Sequence, residues 1–438
     1  MTSRERGIVT ESVPHQPSER MTVPGMEALS YAEGSASSSR FKGKRAAMVV
    51  FSRYPADERV RRAAHALTAE GLSVDLICLA EKGTRKPEAI CGLDVCRLPI
   101  VHRRGSKLTY AYNYCAFILM SSIILAVRSL RRRYDLVYIH NMPDVLVATA
   151  LVPKALGAKV VLDLHDPMPE LMTTIYGIDK ESLGVRLIKR LEKWSIARSD
   201  LVITVNLACR DLFAARSCSP EKIGVVMNSP DHEIFPLRTP QLRSTSGDSP
   251  AKRCVIMYHG SLVHRNGLDL AVEALAQVRL RVPTAELRIY GARNPFLEQV
   301  MAEAHAKGLQ DCVHYLGPKT LPELVREIDD CDIGVIPNHR NAFTEINTPT
   351  RIFEYLVLGK PVIAPRTRGI EDYFGADSLL FFESGDAASL ARQIEYVYLH
   401  PAAAVKTVER GQKVLLTHTW PREKRVLLDL VSRLLSGA

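Results

Sequence analysis

Apolar positions fall along the chain in two alternating rhythms. Short continuous runs, AAMVVF at 46–51, SVDLICL at 73–79, LVYIH at 136–140, KVVLDLH at 159–165 and LVITV at 201–205, have the length and aliphatic content of strands buried on both faces. Between them lie stretches of helical period over 57–70, 143–156 and 181–198, the first stopped by Gly71. The alternation restarts with CVIMYHG at 254–260. It continues through a helix from Gly267 to about Arg281, ELRIYG, a helix over 295–307, CVHYLG, a helix over 321–329, DIGVIP, a helix from about 349, and PVIAP. Repetition of strand, helix and strand predicts parallel sheets with helices on both faces. The expected fold class is α/β, two doubly wound Rossmann-like domains facing a central cleft where the carboxyl ends of their strands meet.

Two segments lack either period. Residues 1–43 mix Ser, Glu, Arg, Pro and Gly and end in GSASSSRFKGK; too little apolar surface is available to fold them, and a disordered leader is expected. Residues 237–252, within LRTPQLRSTSGDSPAKR, read as an interdomain linker. These breaks give an N-terminal domain at 44–236, a C-terminal domain at 253–410, and helices at 411–438 expected to pack back toward the N-terminal domain.

Composition narrows the class. The chain has 438 residues, with 58 Lys and Arg against 48 Asp and Glu, a formal charge of +10. Apolar and charged fractions of 46% and 24% are globular, which excludes collagen, simple coiled coil and disorder as descriptions of the whole. Nine cysteines without a C-x-x-C pair suit small core residues in a reducing compartment. No secretory apolar core precedes them, so a cytoplasmic location is expected. Part of the charge is concentrated. From Arg103 to Arg133 there are seven basic residues and no acidic one, flanking an apolar stretch of roughly Ala116 to Val127, shorter than the ~20 residues of a bilayer span. The segment reads either as a helix buried on the first sheet or as a membrane-surface helix with Tyr110, Tyr112 and Tyr114 at an anionic interface. A mixture, one face in the core and the basic end on the membrane, combines the two. No aromatic-interleaved basic motif points to nucleic acid.

Candidate chemistry lies in the second half. In TPTRIFEYLVLGKPVIA at 348–364, Thr348 is a good N-cap and Pro349 fits the first helical position. The N–H groups of Thr350 and Arg351 then sit at the positive helix end, an anion site, to which Arg351 adds a formal charge. Glu354 shares their helix face; it reads either as an acceptor of two hydrogen bonds from a ribose diol or as a surface partner of Arg351. The stretch YHGSLVHRNG at 258–267 is a second phosphate-side candidate. Gly260 and Ser261 permit close backbone approach, and Arg265 and Asn266 can donate to phosphate oxygens. The first turn of the first domain, FSRYPADERV, carries no G-x-G-x-x-G, so phosphate binding is assigned to the second domain. His165 and Asp166 end one strand, and His140 and Asn141 another, at the cleft edge. Asp330-Cys331-Asp332 spells D-x-D but runs off a helix into a strand and reads as a turn.

Taken with SRYPADERVRRAAHAL at 52–67, HNMPD at 140–144, LDLHDPMPE at 162–170 and NSPD at 228–231, these stretches resemble the retaining GT-B glycosyltransferases of family four, from about Ala46 to the C-terminus. The resemblance implies a nucleoside diphosphate sugar donor held by the C-terminal domain, an acceptor held by the N-terminal domain, and transfer in the cleft without cofactor or metal. It implies a donor site of Gly260, Ser261, Arg265, Asn266, Thr350, Arg351 and Glu345, a catalytic group of His165, Asp166 and Glu354, and an acceptor side at His140 and Asn141. Two departures stand out. The family's Arg and Lys after the strand-end glycine are here Ser261 and Asn266, which leaves Arg265 and Arg351 to supply the charge. The first of its paired glutamates is also out of place: either Glu345 approaches the sugar through a one-residue shift, or backbone near Asn347 does so. The expected activity is hexosyl transfer to a lipid-linked or polysaccharide acceptor at the inner membrane face. Rival readings are a nucleotide-sugar 2-epimerase on the same fold and a catalytically silent transferase-like subunit.

Overall fold

The computed structural model describes residues 39–80, 88–90, 93–100, 107–240 and 253–437. Leader residues 1–38, linker residues 241–252, and Arg103 and Arg104 lie outside the described residues. In the N-terminal half the chain runs β1 (Arg45–Arg53), α1 (Glu58–Ala69), β2 (Ser73–Leu79), β3 (Glu88–Ile90), β4 (Leu93–Leu98), α2 (Lys107–Arg131) and β5 (Leu136–His140). It continues through α3 (Leu151–Ala155), β6 (Lys159–Leu164), α4 (Met168–Tyr176), α5 (Leu183–Arg198), β7 (Leu201–Thr204), α6 (Leu207–Arg216) and β8 (Ile223–Val225). The strands form one sheet in the order β3-β4-β2-β1-β5-β6-β7-β8, parallel except where β3 meets β4.

The C-terminal half runs β9 (Cys254–His259), α7 (Leu268–Val278), β10 (Ala285–Tyr290), α8 (Pro295–Ala306), β11 (Val313–Tyr315), α9 (Leu321–Asp329), β12 (Ile333–Val335) and α10 (Thr350–Val357). Then follow β13 (Val362–Pro365), α11 (Arg368–Glu371), β14 (Leu380–Phe382), α12 (Ala387–Leu399), α13 (Pro401–Thr417) and α14 (Trp420–Ser436). Its parallel sheet is ordered β11-β10-β9-β12-β13-β14. In each sheet the winding direction reverses once, between β1 and β5 and between β9 and β12. The loops leaving those strands diverge there, and the opening between them is where open α/β sheets receive ligands.

Burial explains the strands: Ala46, Ala47, Met48, Val49 and Val50 of β1 are all buried, alternate residues entering the core on either face of the sheet. Four expectations need correction. Phe41 is buried in the core that also contains Val60, Ala64 and Leu67 and its N–H bonds to the Glu70 carbonyl at 3.0 Å, so the folded chain begins before residue 43. The helix expected over 143–156 is a 3₁₀ segment, Asp144–Ala150, followed by the short α3, because Pro153 has no N–H to offer the Thr149 carbonyl of a continuous α-helix. Tyr114 does not sit at an outer interface; its ring meets that of Phe51 edge-on at 4.6 Å. The return to the N-terminal half comes after His418 rather than at 411. Helix α13 stays with α10, while α14 buries Leu427, Leu428 and Val431 beside Val60 and Ala63 of α1.

Candidate active site

A cleft of about 500 Å³ opens between the halves. From the C-terminal side it is lined by the loop after β9 (His259, Gly260, Ser261, Arg265, Asn266) and by Asn347 to Arg351 and Glu354; from the N-terminal side by His165, Asp166, Val205, Met227 and Asn228. The topology brings them there, since the loop after β9 and the segment after β12 leave the switch point of the second sheet. Gly260, at φ +119°, makes a turn that L side chains rarely adopt. At Gly267 a Cβ would overlap the Pro337 carbonyl oxygen.

The anion-binding features converge at the start of α10. Pro349, not Thr348, is the N-cap residue and gives no side-chain cap. The Thr348 hydroxyl instead bonds to the Gly369 carbonyl at 2.5 Å and to Asn206 Nδ2 of the other half at 3.0 Å. The first-turn N–H groups of Thr350 and Arg351 are thus left without a capping side chain at the cleft wall, a partial positive charge that can receive an anion. Arg351 donates to the His259 carbonyl at 2.8 Å and lies 4.9 Å over the Tyr258 ring, so its guanidinium is held rather than mobile. Arg265 stands 5.8 Å from the Phe343 ring; burial lowers its pKa against the pull of Asp166. Asn266 donates to the Ser261 carbonyl at 2.9 Å, closing the loop on itself.

Glu354 is the most perturbed acid in the cleft. Burial raises its pKa to about 7 although Arg351 and Arg62 oppose the shift. Its Oε2 lies 3.4 Å from Nε2 of His259, a ring that burial and Arg351 push down to about 3. His259 is therefore neutral, and its Nε2 has no hydrogen-bond partner. The carboxyl group thus faces an uncharged imidazole, free to turn toward a ligand in the cleft.

On the opposite wall, His165 is set by groups behind it. Asp163 receives Arg59 in a bidentate contact, with 2.7 Å from Nη2, and accepts from the Tyr138 hydroxyl at 2.9 Å. Burial alone would raise its pKa, but Arg59, with both histidines, holds it well below the usual carboxylate range. His140 Nδ1 lies 3.0 Å from His165 Nε2, and burial depresses the His140 pKa. Nε2 of His140 is buried without a partner; a proton there would be an unpaired buried donor, the costlier arrangement. The proton of His140 therefore sits on Nδ1, which faces both His165 Nε2 at 3.0 Å and the Asp163 carboxylate at 3.5 Å, so the two rings are held from behind by Asp163.

Of the residues expected from sequence, Gly260, Ser261, Arg265, Asn266, Thr350, Arg351, Glu354, His165 and Asp166 share the cleft. Three do not. His140 is completely buried behind His165 and offers an acceptor nothing. Asn141 is buried too: its Nδ2 donates to Asp144 at 3.0 Å and to the Asp166 carbonyl at 2.9 Å, and its Oδ1 accepts the His165 N–H at 2.8 Å, so it shapes the 165–166 turn. Glu345 pairs with Arg340 at 2.8 Å and accepts the Arg368 N–H at 3.3 Å, beside a separate cavity of about 240 Å³. Arg59, Arg62, Asp163 and His259 were not singled out; SRYPADERVRR and LDLHD contain three of them, but their partners lie far away in sequence.

Two side-chain groups have metal-ligand composition among the described residues: His140, Asp163 and His165, and His264, Asp269 and His339. In the first, the Arg59 guanidinium already occupies Asp163. In the second, His339 Nε2 is 2.9 Å from both Asp269 oxygens, and that hydrogen bond raises the His339 pKa, as in a closed ion pair. The D-x-D residues point elsewhere: Asp330 pairs with Arg288 at 2.7 Å, and Asp332 accepts the Val255 N–H at 2.8 Å.

Comparison with known proteins places this geometry in context. The family model described as Glycosyl transferase 4-like domain matches residues 56–229, and that described as Glycosyl transferases group 1 matches 253–400. Amylovoran biosynthesis glycosyltransferase AmsK of Erwinia amylovora is 28% identical over 44% of this chain and 46% of its own length. The putative colanic acid biosynthesis glycosyltransferase WcaL of Escherichia coli K12 is 26% identical over 55% of this chain and 58% of its own. The chain thus spans about half the length of the curated relatives it matches. Among solved structures, sucrose-phosphate synthase from Thermosynechococcus elongatus superimposes with a TM-score of 0.72 at 16% identity, over 90% of this chain and 100% of that one. HepE of Anabaena in complex with UDP-glucose does so with a TM-score of 0.65 at 15% identity, over 89% and 99%. At such identities the likeness is one of fold.

Proposed function

The chain belongs to the group 1 glycosyltransferases of GT-B fold, and from that membership we propose that it moves a sugar, with retention, from a nucleoside diphosphate donor to a lipid-linked or polysaccharide acceptor at the cytoplasmic membrane face. One observation carries the reading. Arg351, Arg265 and the uncapped start of α10 line the same cleft, and the carboxyl of Glu354, four residues on from Thr350 in that helix, lines it too. A diphosphate bound there gathers negative charge as the glycosyl bond breaks, and fixed positive groups stabilise it more as charge grows. Glu354 as carboxylate accepts two hydrogen bonds from the ribose diol. His165 orients the donor sugar through its imidazole, and Asp166, whose pKa burial raises, meets the acceptor hydroxyl. The amylovoran and colanic acid biosynthesis for which AmsK and WcaL are named favours a polysaccharide acceptor, and the exposed side of α2 favours one presented at a membrane.

Calorimetry against UDP-, GDP- and ADP-sugars, with product analysis of the donor alone and with acceptor extracts, tests this. Donor-specific heat with acceptor-dependent turnover is expected. Conversion of the donor alone would assign a 2-epimerase, and no donor heat a silent subunit. The positive groups of the cleft are protein groups and the D-x-D carboxylates are engaged elsewhere, so turnover is expected to survive EDTA. Loss that magnesium restores would overturn that expectation.

A further inference from the structure

Three elements lie side by side on one face of the first sheet. Helix α2 and helix α5 both pack on the 3₁₀ segment Asp144–Ala150, and α2 also packs on α3. Their inward residues, Phe117 and Leu125 of α2, Leu146 and Val147 of the 3₁₀ segment, and Ile196 of α5, share one core. What they turn outward is not what a solvated surface carries. Helix α2 exposes Leu119, Ile123, Val127 and Leu130 at helical spacing, and α3 exposes Leu151 and Val152. Helix α5 exposes Leu183 (82%), Leu187 (56%) and Leu191, a stripe at intervals of four.

Charge selects the partner. Helices α2 and α3 contain no acidic residue, and the single acid of α5, Glu192, is buried and bound by Arg216. The basic residues flank the aliphatic stripes: Arg131, Arg132 and Arg133 at the end of α2, and Arg190 and Lys193 on α5, exposed and with no acidic partner among the described residues. A protein partner would need matching acids over the whole patch. An anionic bilayer supplies headgroup charge everywhere and takes aliphatic ridges into its interfacial layer. Helix α2 by itself has the length and hydropathy to cross a bilayer, but Phe117 and Leu125 tie it to the sheet.

We infer that the N-terminal half docks on anionic lipid through a composite face, in which the leucine stripe of α5 and the outward ridge of α2 enter the interface together and the flanking arginines and lysines meet the headgroups. This deepens the membrane reading of the proposed function, which involved α2 alone. Docking then fixes two helices and so orients the whole half, whereas a single helix would leave it free to roll.

Flotation of the full chain with vesicles tests it, without donor or acceptor, so the result stands apart from the transferase reading. Vesicles of phosphatidylcholine with about a third phosphatidylglycerol should retain about tenfold more protein than phosphatidylcholine alone, and binding should weaken as salt rises. Leu187→Glu with Leu191→Glu should reduce retention about tenfold while thermal melting and nucleotide binding stay as in the parent; Arg190→Glu with Lys193→Glu, which keeps the leucines and Arg131 to Arg133, should reduce the preference for anionic lipid several-fold. Wild-type retention by both α5 variants would return docking to α2 alone. Absence of flotation of the unmodified chain, or equal flotation with neutral vesicles, would overturn the inference. Should the leucine variant unfold, the charge variant decides.

Discussion

Glu354 and His259 set opposite demands on the pH of the cleft. With a pKa raised from 4.5 to about 7, Glu354 stabilises the ligand-free fold while protonated; that contribution is complete below its ordinary pKa and fades as pH rises through 7. In the proposed role of Glu354 donor binding should run the other way, because only a carboxylate can accept from both hydroxyls of a ribose diol. Between pH 6 and 8 the ionised fraction rises about tenfold for a group titrating near 7, so donor affinity should rise by nearly that factor. Glu354→Gln should weaken binding and flatten the profile; a profile in the variant as steep as in the parent would assign the titration to another group. His165 makes a second prediction. Because His140 holds the His165 ring from behind at 3.0 Å, His140→Phe should lower kcat about 10- to 100-fold with donor Kd nearly unchanged, as the proposed sugar contact is mis-set rather than lost. A change confined to Kd would show that the ring acts on the nucleotide instead. Arg351 and Glu354 were legible from sequence because both lie in one helical turn. The pairs Arg59–Asp163 and His259–Glu354 were not, because strand order, not spacing, brings their partners together.

At the scale of elements, what could be read was whatever repeats locally. Strands β2 and β5 fall where their apolar runs end, and the capping residues Asp57 and Ser182 start their helices as such residues do. Tertiary partners decided the rest. Thr348 has the chemistry of an N-cap, yet Asn206 and Gly369 claim its hydroxyl. Phe41 lies in a polar, aperiodic stretch and is still buried in the core that α1 and β2 share. A single buried aromatic carries no period, so nothing in its neighbours announces it. Phe41→Ala should therefore cost about 3–5 kcal/mol, seen as a lower urea midpoint with an unchanged slope. A variant as stable as the parent would show that the segment is held only by its surface contacts, such as Arg40 with Asp429 at 2.6 Å.

At the scale of the molecule, the two halves are joined twice, by the segment after β8 that leads into the linker and by the return of the chain at His418–Thr419. The two crossings are bonded to each other. Glu423 accepts the Met227 N–H at 2.9 Å and lies 3.0 Å from His418 Nδ1, and the Ser229 hydroxyl donates to the His418 carbonyl. The strand of chain held there is also a wall of the cleft. Met227 and Asn228 line it, and Arg59 donates to the Val226 carbonyl at 3.0 Å and to Asn228 Oδ1 at 2.9 Å. The crossing and the His165 network therefore share Arg59, so the relative placement of the halves and the setting of His165 are mechanically linked. Glu423→Ala leaves the buried Met227 N–H unpaired, a cost of about 1–3 kcal/mol, and frees the wall. The nucleotide contacts proposed above, which lie in the C-terminal half, should remain, with donor Kd within about threefold of the parent, while kcat falls about tenfold or more as His165 and the proposed donor position lose register. Calorimetry and turnover on one preparation separate these outcomes. A fall in stability with kcat intact would show that the crossing is only a clasp, and a matching loss of donor affinity would place the wall in nucleotide binding rather than in alignment of the two halves.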